Sequence, residues 1–161
     1  TATWNQHGWI FEKRDAYIIH PNGNSTNIAF CVVNGAPWNQ PKSWDTGAVG
    51  PKDITVWHMY TCTFDSTTGK WAIYIDGEEA SSMEINKAKI AEDTGPAHIG
   101  WDEAEPARFG NATIDEVVVF NVALAKADIQ EMMKNGLGNA LTAVDTAGKV
   151  STKWADVKTQ Y

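Results

Sequence analysis

Up to residue 122, the chain consists of short apolar segments separated by turn residues. Strands are predicted at 9–13, 16–20 and 27–33, where aromatic and β-branched residues are frequent. The residues at 20–24, which include a proline and a glycine, separate the second segment from the third and indicate a hairpin. The third segment is apolar on both of its faces. This pattern is typical of a strand that is buried in a two-sheet sandwich.

A long loop at 34–53, rich in proline and glycine, interrupts the alternation, which then resumes. Loops of this length within a compact domain are uncommon and are usually functional or mobile. Strands at 55–64 and 70–76 each place large apolar side chains on one face: Tyr60, Cys62 and Phe64 in the first, and Trp71, Ile73 and Ile75 in the second. Shorter strands are predicted at 82–85, 97–101 and 112–122.

From Leu124 onward the apolar residues recur at helical spacing, which predicts a helix at about 125–135. Gly136 is suited to the left-handed position that ends a helix. The predicted fold is therefore all-β, a two-sheet antiparallel jelly-roll sandwich with one short C-terminal helix. We assign residues 1–137 to this domain. Residues 138–161 form a tail, extended or a short helix, that packs on the domain.

Composition and charge disfavour some classes of binding partner for this chain. The chain has 161 residues, with 13 Lys and Arg against 20 Asp and Glu, for a net charge of −7. This acidic balance argues against a nucleic-acid partner, since phosphates are bound mainly by Lys and Arg. The apolar segments are too short to span a bilayer, so membrane insertion is not expected.

Two stretches of the sequence carry a family resemblance. Trp57-His58 is followed by Phe64-Asp65, Gly69-Lys70 and Tyr74-Ile75-Asp76-Gly77 at spacings that resemble the core motif of LamG-like jelly-roll domains. Residues 98–100 and 109–129, which include Ile114-Asp115-Glu116-Val117, are similar to the closing strands of those domains. The resemblance covers roughly residues 9–137. It implies the concanavalin A-like lectin/glucanase superfamily.

The resemblance also implies that the domain is N-terminally incomplete. Nothing in the sequence is similar to the strands with which the family usually opens, and Thr1 suggests a processed product or a fragment. In the family the first strand pairs beside the strand that corresponds to 114–120. We expect this strand to have an open apolar edge, which invites pairing with a partner chain or with a second copy of the chain.

No catalytic arrangement is evident, and the chain is not expected to be an enzyme. Glucanases of the same fold use paired carboxylates in an E-x-D-x-x-E strand. The corresponding stretch at 113–118 has Thr113 in place of the first Glu. The acidic residues at 102–105 lie in a predicted loop, and a solvated acidic cluster explains them more simply. The four histidines are scattered, without the spacing of a zinc site.

The chain contains eight tryptophans, and their positions are the main indication of function in the sequence. Trp9, Trp57 and Trp71 lie in strand patterns and are predicted to pack in the core. The loop tryptophans are flanked by residues that can hydrogen-bond a sugar, and indole rings stack on sugar rings. The candidate ligand-binding residues are therefore Trp38, Asn39, Trp44, Trp101 and Asp102. The alternative is that these tryptophans only cover one end of the sandwich.

Asp115 and the two cysteines leave alternatives open. Asp115 is either a structural carboxylate that accepts backbone N–H groups or, as the frequent calcium sites of the family imply, a ligand of Ca²⁺. The sequence suggests no cofactor other than calcium. Cys31 and Cys62 fall on strands that are neighbours in the family, so either a disulfide or two free thiols is possible.

The sequence thus favours a non-catalytic extracellular binding or adhesion module. It would be secreted or located at the cell surface, and it would recognise glycans or surface proteins through its loops. The alternative is a structural or assembly protein whose open strand edge pairs with other chains, or with itself as a homo-oligomer, without a sugar ligand.

Overall fold

A computed structural model describes residues 2–5, 8–35, 39–105 and 108–143, the last six of them as backbone only. Short strands dominate, as the alternation predicted. They are β1 (Phe11–Lys13), β2 (Tyr17–Pro21), β3 (Ile28–Val32), β4 (Gly47–Ala48), β5 (Tyr60–Phe64), β6 (Lys70–Ile75), β7 (Glu78–Glu84) and β8 (Ala97–Ile99). One helix, α1 (Lys126–Ala143), follows them.

The strands form two antiparallel sheets. One sheet has five strands in the order β4-β3-β2-β1-β8, and the other has three in the order β5-β6-β7. The strands β1 to β4 are neighbours in sequence order in the first sheet, as are β5 to β7 in the second, and β8 returns to the first sheet beside β1. The predicted two-sheet, all-β architecture with a C-terminal helix is confirmed.

The two sheets meet through large apolar side chains. Trp71 and Ile73 of β6 have no exposed surface, and they pack against Phe30 and Val32 of β3. The rings of Phe30 and Trp71 are stacked, with centroids 5.7 Å apart and an interplanar angle of 16°. Because side chains alternate along a strand, these residues define the inner face of each sheet. The apolar faces predicted for β5 and β6 face this core, since Cys62, Phe64 and Ile75 also pack in it.

Helix α1 covers the outer face of the three-stranded sheet. Ala72 and Tyr74 of β6 pack there against Leu124, Ile129 and Met132. The helix is longer than the predicted 125–135, because the chain resumes a helical course after Gly136. At Gly136 the helix is broken, with φ 73° and ψ 162°. The positive φ expected of Gly136 is present, but its ψ lies outside the left-handed helical region and the helix resumes beyond it. Among the described helical residues, none forms a segment long and apolar enough to cross a bilayer.

The strand predicted at 112–122 is not present. The segment forms no ladder with any described strand, and Glu116 has a positive φ of 52°. A strand needs a neighbouring edge that accepts its backbone hydrogen bonds, and alternation in the sequence alone does not supply that pairing. Conversely, the predicted loop at 34–53 contains the two-residue strand β4, which pairs with β3.

Trp57 is a second correction. It was predicted to pack in the core, but 70% of its surface is exposed. The strand that follows begins only at Tyr60, so the side chain of Trp57 lies outside the alternation that buries its neighbours. The predicted burial of Trp9 and Trp71 is confirmed, with exposed fractions of 6% and 0%.

The two cysteines lie on different sheets, Cys31 on β3 and Cys62 on β5, and both are free thiols. The expectation of neighbouring strands was wrong. Burial raises the pKa of Cys31 to about 12 and also raises the pKa of Cys62. Both groups are therefore neutral at physiological pH and pack as small apolar side chains.

The contrast between two tryptophans tests the packing. Trp71→Ala is expected to lower the free energy of unfolding by about 3–5 kcal/mol, because it removes a fully buried ring and leaves a cavity. Trp57→Ala is expected to change it by no more than about 0.5 kcal/mol, as is usual for an exposed side chain. Urea unfolding followed by circular dichroism measures both. An equal decrease in the free energy of unfolding for the two variants would contradict the burial of Trp71 in the core.

Candidate functional site

Polar and aromatic residues that do not pack between the two sheets lie on the outer face of the five-stranded sheet. Register places Cys31, Ile18, Glu12 and His98 in one row across β3, β2, β1 and β8. Residues that are directly opposite in neighbouring strands share a face. Trp9 packs on Ile18 and Cys31 from the same side. We call this surface the outer face.

An aromatic cluster, Trp9, His20 and Trp44, lies at one side of the outer face. The ring of His20 is 4.6 Å from that of Trp9, at 86°, and 5.3 Å from that of Trp44. The Trp9 and Trp44 rings are 5.9 Å apart. Trp9 is buried, whereas 37% of Trp44 is exposed. Trp44 is therefore the member of this cluster that presents an indole surface to solvent.

A charged cluster surrounds Glu12 on the other side of the outer face. Glu12 has no exposed surface, and its Oε1 lies 3.2 Å from Nδ1 of His98. The backbone N–H of Glu103 donates to the same oxygen, at 2.5 Å. His98 contacts the half-buried ring of Trp101 edge to face, with centroids 4.4 Å apart. The charged cluster thus attaches the loop after β8 to the centre of the sheet.

Asp102 is part of this attachment and does not face solvent. It is completely buried, and its carboxylate oxygens lie 3.2 Å from Nη1 of Arg14 and 3.0 Å from Nη1 of Arg108. The backbone N–H of Ala104 also donates to it, at 2.9 Å. With these partners the Asp102 side chain orders the loop, while Trp101 beside it retains an accessible surface.

The structure brings together only part of the predicted site. Trp44, Trp101 and Asp102 belong to the clusters of the outer face. Asn39 lies in the loop after β3, where its amide is 3.5 Å from the carbonyl of Lys42, and Trp38 lies outside the described residues. Glu12, His20 and His98 also lie on the outer face and were not among the predicted site residues. Nothing in the sequence marks Glu12, at the centre of the short strand Phe11–Lys13, as buried, although a buried carboxylate is unusual.

Asp115 lies apart from both clusters. Its side chain is exposed, and its Oδ1 accepts the N–H of Glu116 at 2.8 Å. Among the described residues, the one group of three potential metal ligands close enough to share an ion is Glu12, His98 and Glu103, which does not include Asp115. Calcium binding at Asp115 stays a prediction.

His58 forms a hydrogen-bonded pair with Asp76 at the start of the three-stranded sheet. Its Nδ1 lies 2.7 Å from the Asp76 carboxylate, and its Nε2 lies 2.7 Å from the carbonyl of Asp53. Burial opposes protonation of the ring, but the bonds to Asp76 and Asp53 outweigh it, so the pKa of His58 is raised. The imidazolium can donate to both oxygens. The pair connects the Asp76-Gly77 turn to the segment before β5.

The pH dependence of this pair can be measured. Since the pKa of His58 is raised by folding, its stabilising contribution is complete below the unfolded pKa of about 6.5 and is lost as the pH rises through the folded value. Asp76→Asn is expected to lower the His58 pKa in an NMR titration and to reduce the loss of stability on going to higher pH. Asn tolerates the positive φ of 52° at this position, so the turn is kept. An unchanged titration midpoint would contradict the pairing.

The family follows from comparison with known sequences. The Laminin_G_3 model, described as concanavalin A-like lectin/glucanases superfamily, matches residues 1–130. The chain belongs to this family. The LamG-like resemblance is thereby confirmed. No curated protein sequence is significantly similar to the chain.

Two solved structures are similar to this Laminin_G_3 domain. One is a candidate carbohydrate binding protein from Bacteroides ovatus, with a TM-score of 0.59 and 18% identity over 81% of this chain. The chain spans only 38% of that protein. The other is an S-layer domain-containing protein from Clostridium thermocellum, with a TM-score of 0.41, 16% identity, and coverage of 83% of this chain and 64% of that one. At these identities the first structure supports the fold alone.

Proposed function

We propose that the protein is a non-catalytic binding module that recognises glycans through the outer face of its five-stranded sheet. The observation that carries the proposal is the placement of two partly accessible indoles, Trp44 and Trp101, in the two clusters of one sheet face. The superfamily includes lectins, and the Bacteroides ovatus neighbour, a candidate carbohydrate binding protein, supports the same class of ligand.

The chemistry of the outer face suits a sugar. An exposed indole offers a flat apolar surface for the C–H face of a pyranose ring, and polar groups around it supply orientation. The loop that carries Trp44 supplies Asn39 and the turn residues Ser43 and Asp45 as polar groups. Around Trp101 they include His98 and the carboxylate of Glu103, which is exposed. A shallow site of this kind binds weakly, and its strength would come from multivalent attachment.

The arrangement of acids supports a binding role rather than hydrolysis. Glu12 and Glu103 have carboxylate oxygens within 4.8 Å of each other, which is close to the separation used by retaining glycosidases. Glu12, however, has no exposed surface, and so its carboxylate cannot reach a glycosidic bond. A module that binds polymeric or surface glycans would work outside the cell, and we therefore propose a secreted or cell-surface location.

A glycan array with single variants tests the proposal. Wild-type protein, displayed multivalently, is expected to bind a subset of immobilised glycans, and Trp44→Ala or Trp101→Ala is expected to reduce binding at least tenfold through lost stacking. Trp38→Ala can be included in the same series, because the sequence predicted a role for that residue.

Trp57→Ala is the matched control, since Trp57 is an exposed tryptophan of the three-stranded half of the molecule. It should bind as wild type does. Silence of the wild-type protein across the array, or equal losses for Trp44→Ala and Trp57→Ala, would contradict glycan recognition by the outer face. Thermal unfolding of each variant separates loss of binding from loss of fold.

A second role, assembly through strand pairing, is favoured by a large cleft between the sheets. The cleft has a volume of about 1820 Å³, well beyond the roughly 300–1,000 Å³ of small-molecule pockets. Protein interiors contain few voids larger than a water molecule, so a gap of this size calls for more polypeptide. Its lining is rich in apolar side chains, including Phe11, Ile19, Phe30, Phe64, Val117 and Phe120.

Two backbone segments border this cleft. Strand β5 is an edge of the three-stranded sheet, and the segment 111–122 forms no ladder within the described part of the chain. Both present N–H and C=O groups that an extended segment could pair with. We propose that a β-strand of another polypeptide chain, with alternating apolar side chains, occupies the cleft in the assembled state.

Oligomeric state in solution tests the second role. If copies of the chain supply the strand to one another, light scattering after size exclusion should show mass increasing with concentration. Val119→Lys is expected to suppress this association by placing a charge at the cleft lining, where Val119 is 47% exposed. Val49→Lys is the control, because Val49 is exposed but does not line the cleft. A monomer at all concentrations would contradict association between copies.

A further inference from the structure

The charged cluster contains an arrangement that the glycan proposal does not require. Glu12, His98 and Glu103 each offer one ligand atom, and these three atoms all lie within 4.8 Å of one another. Glu12 is on β1, His98 on β8, and Glu103 in the loop that follows β8. The side chains therefore converge from three separate parts of the chain on one point of the outer face.

One oxygen in this group lacks a hydrogen-bond partner among the described residues. Oε1 of Glu12 accepts from His98 and from the backbone of Glu103, but Oε2 is buried and accepts no hydrogen bond. Its nearest charged neighbour is Nη1 of Arg14, at 3.6 Å. A buried carboxylate oxygen without a donor is uncommon and is a position where a bound ion or water is expected.

The charge balance of the cluster points to a cation. Four carboxylates face two guanidinium groups, which leaves a net charge of −2 when His98 is neutral: the acids are Glu12, Asp102, Glu103 and Glu105, and the bases are Arg14 and Arg108. Two of the four carboxylates, those of Glu12 and Asp102, are completely buried. Uncompensated charge is costly at such positions, and a single divalent cation would neutralise the cluster.

We propose that Glu12, His98 and Glu103 form a site for a transition-metal dication of the Zn²⁺ type. One imidazole and two carboxylates are ligands that zinc accepts, whereas calcium favours oxygen ligands alone. His98 binds the ion through the Nδ1 lone pair, in the neutral tautomer that carries its proton on Nε2, and this bond replaces the contact between Nδ1 and Glu12. Water completes the coordination.

Arg14 does not need to leave when the ion binds. Its Nη1 lies closer to Asp102, at 3.2 Å, than to Glu12, at 3.6 Å. The guanidinium therefore remains bound to Asp102 while the cation takes over the charge of Glu12. The ion would fasten β1, β8 and the loop that carries Trp101 and Asp102. Its expected role is to hold that loop in place.

Calorimetric titration of metal-free protein with zinc chloride tests the site. Wild-type protein is expected to bind one zinc ion per chain and to show a higher Tm with zinc than without it. His98→Ala and Glu103→Gln are each expected to weaken binding at least tenfold and to reduce the zinc-dependent rise in Tm. Glu84→Gln is the matched control, because Glu84 is an exposed acid of β7 that lies outside both the ligand group and the charged cluster, and it should bind zinc as wild type does.

Several results would overturn the proposal. One is the absence of zinc binding by the wild-type protein. Another is an equal zinc affinity of the wild-type protein and Glu103→Gln, a variant that alters an exposed side chain and is expected to fold. Calcium chloride is titrated in parallel and should bind at least tenfold more weakly at this site. Calcium affinity equal to or above that of zinc would overturn the choice of a transition metal. None of these outcomes depends on whether the protein binds a glycan.

Discussion

The packing of the two sheets through Phe30 and Trp71 is the interaction on which the rest of the structure depends. It buries the inner face of each sheet, and because side chains alternate along a strand, it leaves the opposite faces to other uses. Helix α1 covers one of them. The other, the outer face of the five-stranded sheet, carries Trp44, Trp101 and the charged cluster. The candidate site is therefore positioned by the burial of residues that lie on the other side of the same strands.

On the outer face, buried side chains that are held in place lie next to exposed ones. Glu12 and Asp102 are buried and heavily bonded, and they anchor the loop after β8 to the centre of the sheet. Trp101 and Glu103, their neighbours in that loop, keep accessible surface. A binding site gains from this arrangement because the groups that meet the ligand are already held in place, which lowers the entropy lost on binding. Both the glycan and the zinc proposals use this loop, but through different side chains.

The cleft is a region where the two sheets do not pack closely against each other. Apolar side chains of both sheets line it. Among the described residues, β5 pairs on one side only, with β6, and the segment 111–122 forms no ladder. Glycan binding and strand pairing are compatible, since the cleft lies between the sheets and the outer face lies on the far side of the five-stranded one. An assembled protein could thus display many copies of a weak site.

The sequence by itself determined most of the strands, because alternation is a local property: the apolar faces of β5 and β6 could be predicted from it, and glycine at 136 marked a position of positive φ. The strand at 112–122 and the burial of Trp57 could not, since pairing and burial depend on neighbours that are distant in sequence. The same holds for the charged cluster. Glu12 and His98 are opposite one another only because β8 returns to the edge of β1, and only that tertiary contact makes a buried acid and a histidine one site.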